Sequence, residues 1–140
     1  MTDPAVIQSV NTVLLAIAEL AQLRRAFRDS LRSEENVVTI TEGLDFRIYD
    51  SGPVMECYVD AELKSGLAVG WWLEVTWSMS EFTLLSSVAV NDENGQDVIT
   101  QWDCASERPD DVFGHVVDYW RRATEIGIEE AMRRYQIQRG

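Results

Sequence analysis

The chain has 140 residues, 46% of them hydrophobic and 26% charged, with a formal net charge of −12 at pH 7. That length suits one domain able to bury a core without staples, and five Trp, four Tyr and four Phe argue against disorder. The negative charge speaks against nucleic acid as a partner, because phosphate binding needs a basic surface, and against anionic membranes for the same reason.

Residues 3–32 read as one helix. Asp3 suits the N-cap and Pro4 the first helical position, where its missing N–H costs nothing. Val6, Val10, Val13, Ile17, Leu20, Phe27 and Leu31 follow steps of four and three, with Arg24 as the one polar intruder, and Ile7, Leu14 and Ala21 widen the stripe. At 1.5 Å per residue such a helix spans roughly 43 Å, long for a domain whose radius of gyration should be near ~14 Å. Either it bends, or one end projects and packs on something else; a homodimer through this helix is one outcome. Val10, Ile17 and Leu20 are expected in the core. No apolar run approaches the ~20 residues of a membrane helix, Val13–Ala18 being the longest. The leading Met1-Thr2-Asp3-Pro4 has no basic lead of a signal peptide. No membrane contact and a cytoplasmic location are therefore expected.

From about Val37 the period changes to two. Leu44, Phe46 and Ile48 alternate with Asp45, Arg47 and Tyr49, and Ser51-Gly52-Pro53 is a turn. Met55, Cys57, Val59, Ala61 and Leu63 alternate with Glu56, Tyr58, Asp60 and Glu62 before a turn at Lys64-Ser65-Gly66. Leu67 through Met79 alternate around Trp72, Glu74 and Thr76. Phe82, Leu84, Val88 and Val90 form a fourth run, Asn94-Gly95 is a hairpin signal, and Val98–Cys104 closes the sheet. Short connections imply antiparallel neighbours in meander order. Val37–Thr41 is either a sixth short strand or the lead into the first. A C-terminal helix is expected from about Asp110 to Gln136, weakened at Gly127. The class is α+β, with helices on one face of a five- or six-stranded sheet. Residues 1–140 read as a single domain, with no linker or repeat.

Catalytic and cofactor signatures are missing. The glycines form no phosphate loop or dinucleotide motif, and a lone histidine excludes two-histidine metal sites. His115 has Asp111 four residues before it and Asp118 three after, so a His–carboxylate base is conceivable there, but no nucleophile is placed by motif. Cys57 and Cys104 have no disulfide or metal spacing and read as reduced thiols. Residues 91–97 imitate a calcium loop, yet the required turn glycine falls on Asp97 or Gln96, so a solvated hairpin is the better reading.

The charge layout is more informative. Residues 1–33 carry four Arg against three acids and residues 119–140 five Arg against three acids, whereas residues 34–118 carry eighteen acids against Arg47, Lys64 and Arg108. All of the excess negative charge lies in this middle segment. If helices cover one sheet face, the other shows Asp45, Arg47 and Tyr49, then Glu56, Tyr58, Asp60 and Glu62, then Trp72, Glu74 and Thr76, then Leu85, and finally Ile99, Gln101 and Asp103. Like charges on neighbouring strands cost stability, and a face serving only solubility has no need of Trp72, Leu85 and Ile99. Aromatics ringed by charge are what a protein-binding face uses.

The expected function is thus a non-enzymatic binding module, with Asp45, Tyr49, Glu56, Tyr58, Asp60, Glu62, Trp72, Glu74 and Asp103 set against a basic protein partner. In composition and layout this has the character of small acidic immunity proteins or secretion chaperones, although no motif identifies either. Two other readings stay open: a binder of a small apolar ligand in a cavity lined by Trp71, Trp77, Trp102 and Trp120, and an enzyme using His115. No cofactor or metal is implied.

Overall fold

The computed structural model describes residues 3–78 and 80–140; Met79, expected to continue the third strand's alternation, lies outside them. The order is α1 (Pro4–Arg32), β1 (Val37–Tyr49), β2 (Gly52–Leu63), β3 (Ala68–Trp77), β4 (Phe82–Asp92), β5 (Gly95–Ser106), α2 (Pro109–Phe113), α3 (Val116–Glu125) and α4 (Ile128–Arg139). The five strands form one antiparallel meander, β1-β2-β3-β4-β5. Val37–Thr41 is the opening of β1 rather than a sixth strand.

Alternation puts Met55, Cys57, Val59, Val69, Trp71, Leu73, Val75, Leu84, Val88 and Val90 on the inner face, all fully buried. β5 departs from simple alternation. Near Ala89 the register shifts, so that Val88 pairs with Thr100 and Ala89 with Val98, leaving Ile99 as the extra residue of a bulge. Ile99 therefore turns into the core, at 8% exposure, and Val98 takes the outward place expected for it. Ser86 also sits on the inner face, where its hydroxyl donates to the Trp72 carbonyl at 3.1 Å.

The C-terminal segment is three helices, not one. Gly114 ends α2, and α3 stops at Ile126-Gly127, whose extended backbone turns the chain into α4. The second break leaves the Ile126 carbonyl without a helical partner. The Trp71 indole N–H donates to it at 2.8 Å, deep in the core. Phe27 meets Trp71 edge-on at 4.7 Å and Trp120 at 6.3 Å, so these rings interlock α1, α3 and the sheet.

α1 is unbroken, with the Asp3 carboxylate accepting from the Ala5 N–H at 2.9 Å as its cap. Its second half is held firmly. Leu20 and Leu31 are buried, and Glu19 pairs with Arg121 of α3 at 3.1 Å. Arg24, the intruder in the apolar stripe, meets Glu42, which interrupts the inward face of β1; Arg28 bonds the same carboxylate at 3.0 Å. Each breaks its own pattern, and they neutralise one another. The first half behaves differently from expectation. Val10 is not buried but 49% exposed, Ile17 is half-buried, and Val6, Ile7, Leu14 and Leu15 are all exposed. Along its length α1 touches α2 and α3 as well as β1 and β2.

Candidate functional site

All nine expected site residues share the outer face. The register sets Asp45 opposite Glu56, Glu56 opposite Glu74, and Glu74 opposite Leu85, with Leu85 paired to Asp103. One row across the sheet thus carries four carboxylates and one leucine. The next row carries Gly43, Tyr58, Trp72, Ser87 and Gln101, and the one beyond it Thr41, Asp60, Gly70, Ala89 and Val98. Glu62 lies at the far end of β2, exposed, beside Ala68, and Tyr49 at the opposite end of β1.

The acidic row is not uniform. Glu56 is only 7% exposed. The Tyr49 hydroxyl donates to it at 3.2 Å and the Arg47 guanidinium lies 3.7 Å away, also facing Asp45 at 3.8 Å. Among the described residues Glu74 has only a long bond, 3.4 Å, from the Trp72 indole N–H. Arg47, on the same parity but outside the nine expected site residues, is the counter-charge shared by Asp45 of β1 and Glu56 of β2.

Two glycines shape the aromatic row and the row beyond it. The Tyr58 ring lies flat over Gly43, where a side-chain carbon would come within 2.9 Å of its hydroxyl, and stacks on Trp72 at 5.2 Å with 21° between the planes. Any Cβ at Gly70 would collide with Asp60. With Gly70, Ser87 and Ala89 as floor, a depression of about 400 Å³ opens between Trp72, Glu74, Asp60 and Gln96. A second, of about 460 Å³, adjoins it across Asp60 and reaches Glu62 and Thr41. Burial holds the Asp60 carboxyl above the ordinary carboxylate range. The absence of side-chain bulk at these positions was legible as Gly and Ala in the strands, but its meaning depended on the register.

The other expected sites are built otherwise. His115 is exposed at the start of α3. Neither carboxylate flanking it in sequence joins it: the Ser106 hydroxyl donates to Asp111 at 2.9 Å, and Asp118 pairs with Arg122 at 3.0 Å. His115, Asp111 and Cys104 line a shallow depression of about 280 Å³. In the β4–β5 hairpin Asp92 accepts from the Tyr135 hydroxyl at 2.7 Å and from Arg139 at 2.8 Å, and Arg139 also reaches Asp97 at 3.2 Å, so these carboxylates fasten α4 rather than converge on a cation. Among the described residues no group of three or more His, Cys, Asp or Glu is set to hold a metal. Trp71 and Trp120 fill the core, Trp102 is half-buried, and Trp77 lines an open apolar depression with Phe46, Ile48, Pro53 and Val54. Comparison with family models, with curated proteins and with solved structures gives no match for this chain.

Proposed function

We propose that the chain is a non-enzymatic protein-binding module whose outer sheet face receives a basic partner protein. One observation carries the reading: the carboxylates of Asp45, Glu56, Glu74 and Asp103 stand in one row beside the Tyr58–Trp72 stack, over a floor cleared by Gly70 and Ala89. Opposed like charges oppose folding, so keeping them together needs a compensating use. An Arg side chain from a partner fits such a place. Its guanidinium would lie on the Trp72 face and bond Glu74 and Asp60, combining cation–π attraction with charge-assisted hydrogen bonds. The acidic field would steer the encounter and speed association at low salt.

The test is affinity capture from the native cell extract, with wild type and with the Trp72→Ala, Glu74→Arg double variant, each eluted by a salt gradient. The reading expects a basic protein held by wild type, released by salt and lost by the variant. Equal capture by both would reduce the face to a solvated surface.

A further inference from the structure

The first half of α1 is uncharged from Pro4 to Ala18 and largely uncovered. Val10, Leu14, Ile17 and Ala21 recur at steps of four and three, and the same steps lead on to Arg24 and Arg28. Those two arginines reach Glu42, so this side of the helix looks toward β1. Beyond Glu42, β1 presents Phe46 and Ile48 on its inward parity, paired with Met55 and Pro53, yet 61% and 87% exposed. Six strand residues and about thirteen helical ones each cover roughly 20 Å, which sets Ile48 level with Val10–Leu14. Helix and strand thus present two uncovered apolar surfaces at one level, and beside that of the strand lies the depression lined by Phe46, Arg47, Ile48, Pro53, Val54 and Trp77.

We infer that these two surfaces bound an apolar cleft and that this cleft is the interface of a two-fold homodimer, in which α1 of each copy lies between α1 and β1 of the other. Three observations favour a second copy as occupant. The first is charge: a chain of net −12 repels itself elsewhere, whereas residues 1–33 hold four Arg against three acids and the cleft side of the helix carries none before Arg24. The second is shape: each copy offers both a projecting apolar helix and a groove, and a two-fold axis requires one patch to serve as both sides of the contact. The third is area. Val6, Ile7, Val10, Leu14, Phe46 and Ile48, exposed by 48–87%, together show roughly 600 Å² of side chain, near the ~800 Å² per partner of a stable interface and at the top of what monomers leave bare. By length and composition α1 would also pass as a membrane span, an 18-residue stretch of it having a mean hydropathy of 1.5. Here, however, the second half of that helix is packed into the domain, with Leu20 and Leu31 buried and Glu19 tied to Arg121.

Sedimentation velocity from low to high micromolar concentration tests the inference. Wild type should run as a dimer. Val10→Glu with Leu14→Glu should weaken dimerisation at least tenfold, and Ile48→Glu, on the other wall, should do the same, both with unchanged circular dichroism. Leu15→Glu is the control: at 70% Leu15 is the most exposed large apolar side chain of α1, but it projects on the side of Gln8 and Thr12, so the dimer should persist. A wild type that stays monomeric, or a dimer indifferent to Val10, Leu14 and Ile48, overturns the inference. So does co-flotation of a monomer with phosphatidylcholine vesicles, which would assign the cleft to lipid.

Discussion

If the acidic row is kept for binding, neutralising part of it should stabilise the protein while weakening its interactions. Glu74→Gln is the cleanest change. Glu74 faces Glu56 directly across β2–β3, and Gln keeps an oxygen for the Trp72 indole N–H at 3.4 Å. Two unit charges about 5 Å apart in water repel by about 0.8 kcal/mol, and Asp103, two strands away, adds a smaller part reduced by salt. Opposed like charges in sheets fall in the same range. Arg47 and Tyr49 serve Glu56 and not Glu74, so they leave this repulsion largely in place. The gain should be about 0.5–1 kcal/mol. For 140 residues the unfolding entropy is about 0.3 kcal/mol/K, so Tm should rise by roughly 2–3 °C. Calorimetry at low salt and again near 1 M NaCl measures both the gain and its origin, because high salt should erase the difference between wild type and variant. A Glu74→Gln protein less stable than wild type, or a gain unaffected by salt, would refute the argument.

Three further outcomes follow from the same geometry. Trp71→Phe removes the donor to the buried Ile126 carbonyl and part of an indole packed on Phe27; it should cost about 2–4 kcal/mol by urea titration, and a loss under 0.5 kcal/mol would show that the α3–α4 break does not depend on this bond. Asp60→Asn should raise Tm at pH 7. The folded carboxyl is held above its usual value by burial, so its charged form opposes folding, and this opposition fades as pH falls through the raised value; near pH 3, where both states are protonated, the two proteins should melt alike. Burial pushes the Cys57 thiol up to about 12, so a thiol reagent should modify only Cys104 in the folded protein and both cysteines in urea; reaction of both under native conditions would contradict the packing of β2.

Much of this molecule could be read from its residues alone. The period of two from Leu44 to Cys104, punctuated at Ser51-Gly52-Pro53, Lys64-Ser65-Gly66 and Asn94-Gly95, is enough for an antiparallel meander of five or six strands, because alternation and turn chemistry are local, and the fold has five. The same alternation placed Asp45, Glu56, Tyr58, Trp72, Glu74 and Asp103 together on the outer face. The tertiary structure decided what local pattern leaves open. A helical stripe says which side of α1 is apolar, not how far the sheet extends beneath it, and so Val10 proved exposed and Leu20 buried. One bulge inverted the side of Ile99, because register is a property of two strands. Gly127 signalled weakness in the last helix, but the break there is secured by Trp71, 55 residues away in sequence. Arg24 and Glu42 look like errors separately and form an ion pair together. In each case the deciding energy is burial or charge neutralisation between segments distant in the chain, which no local periodicity records.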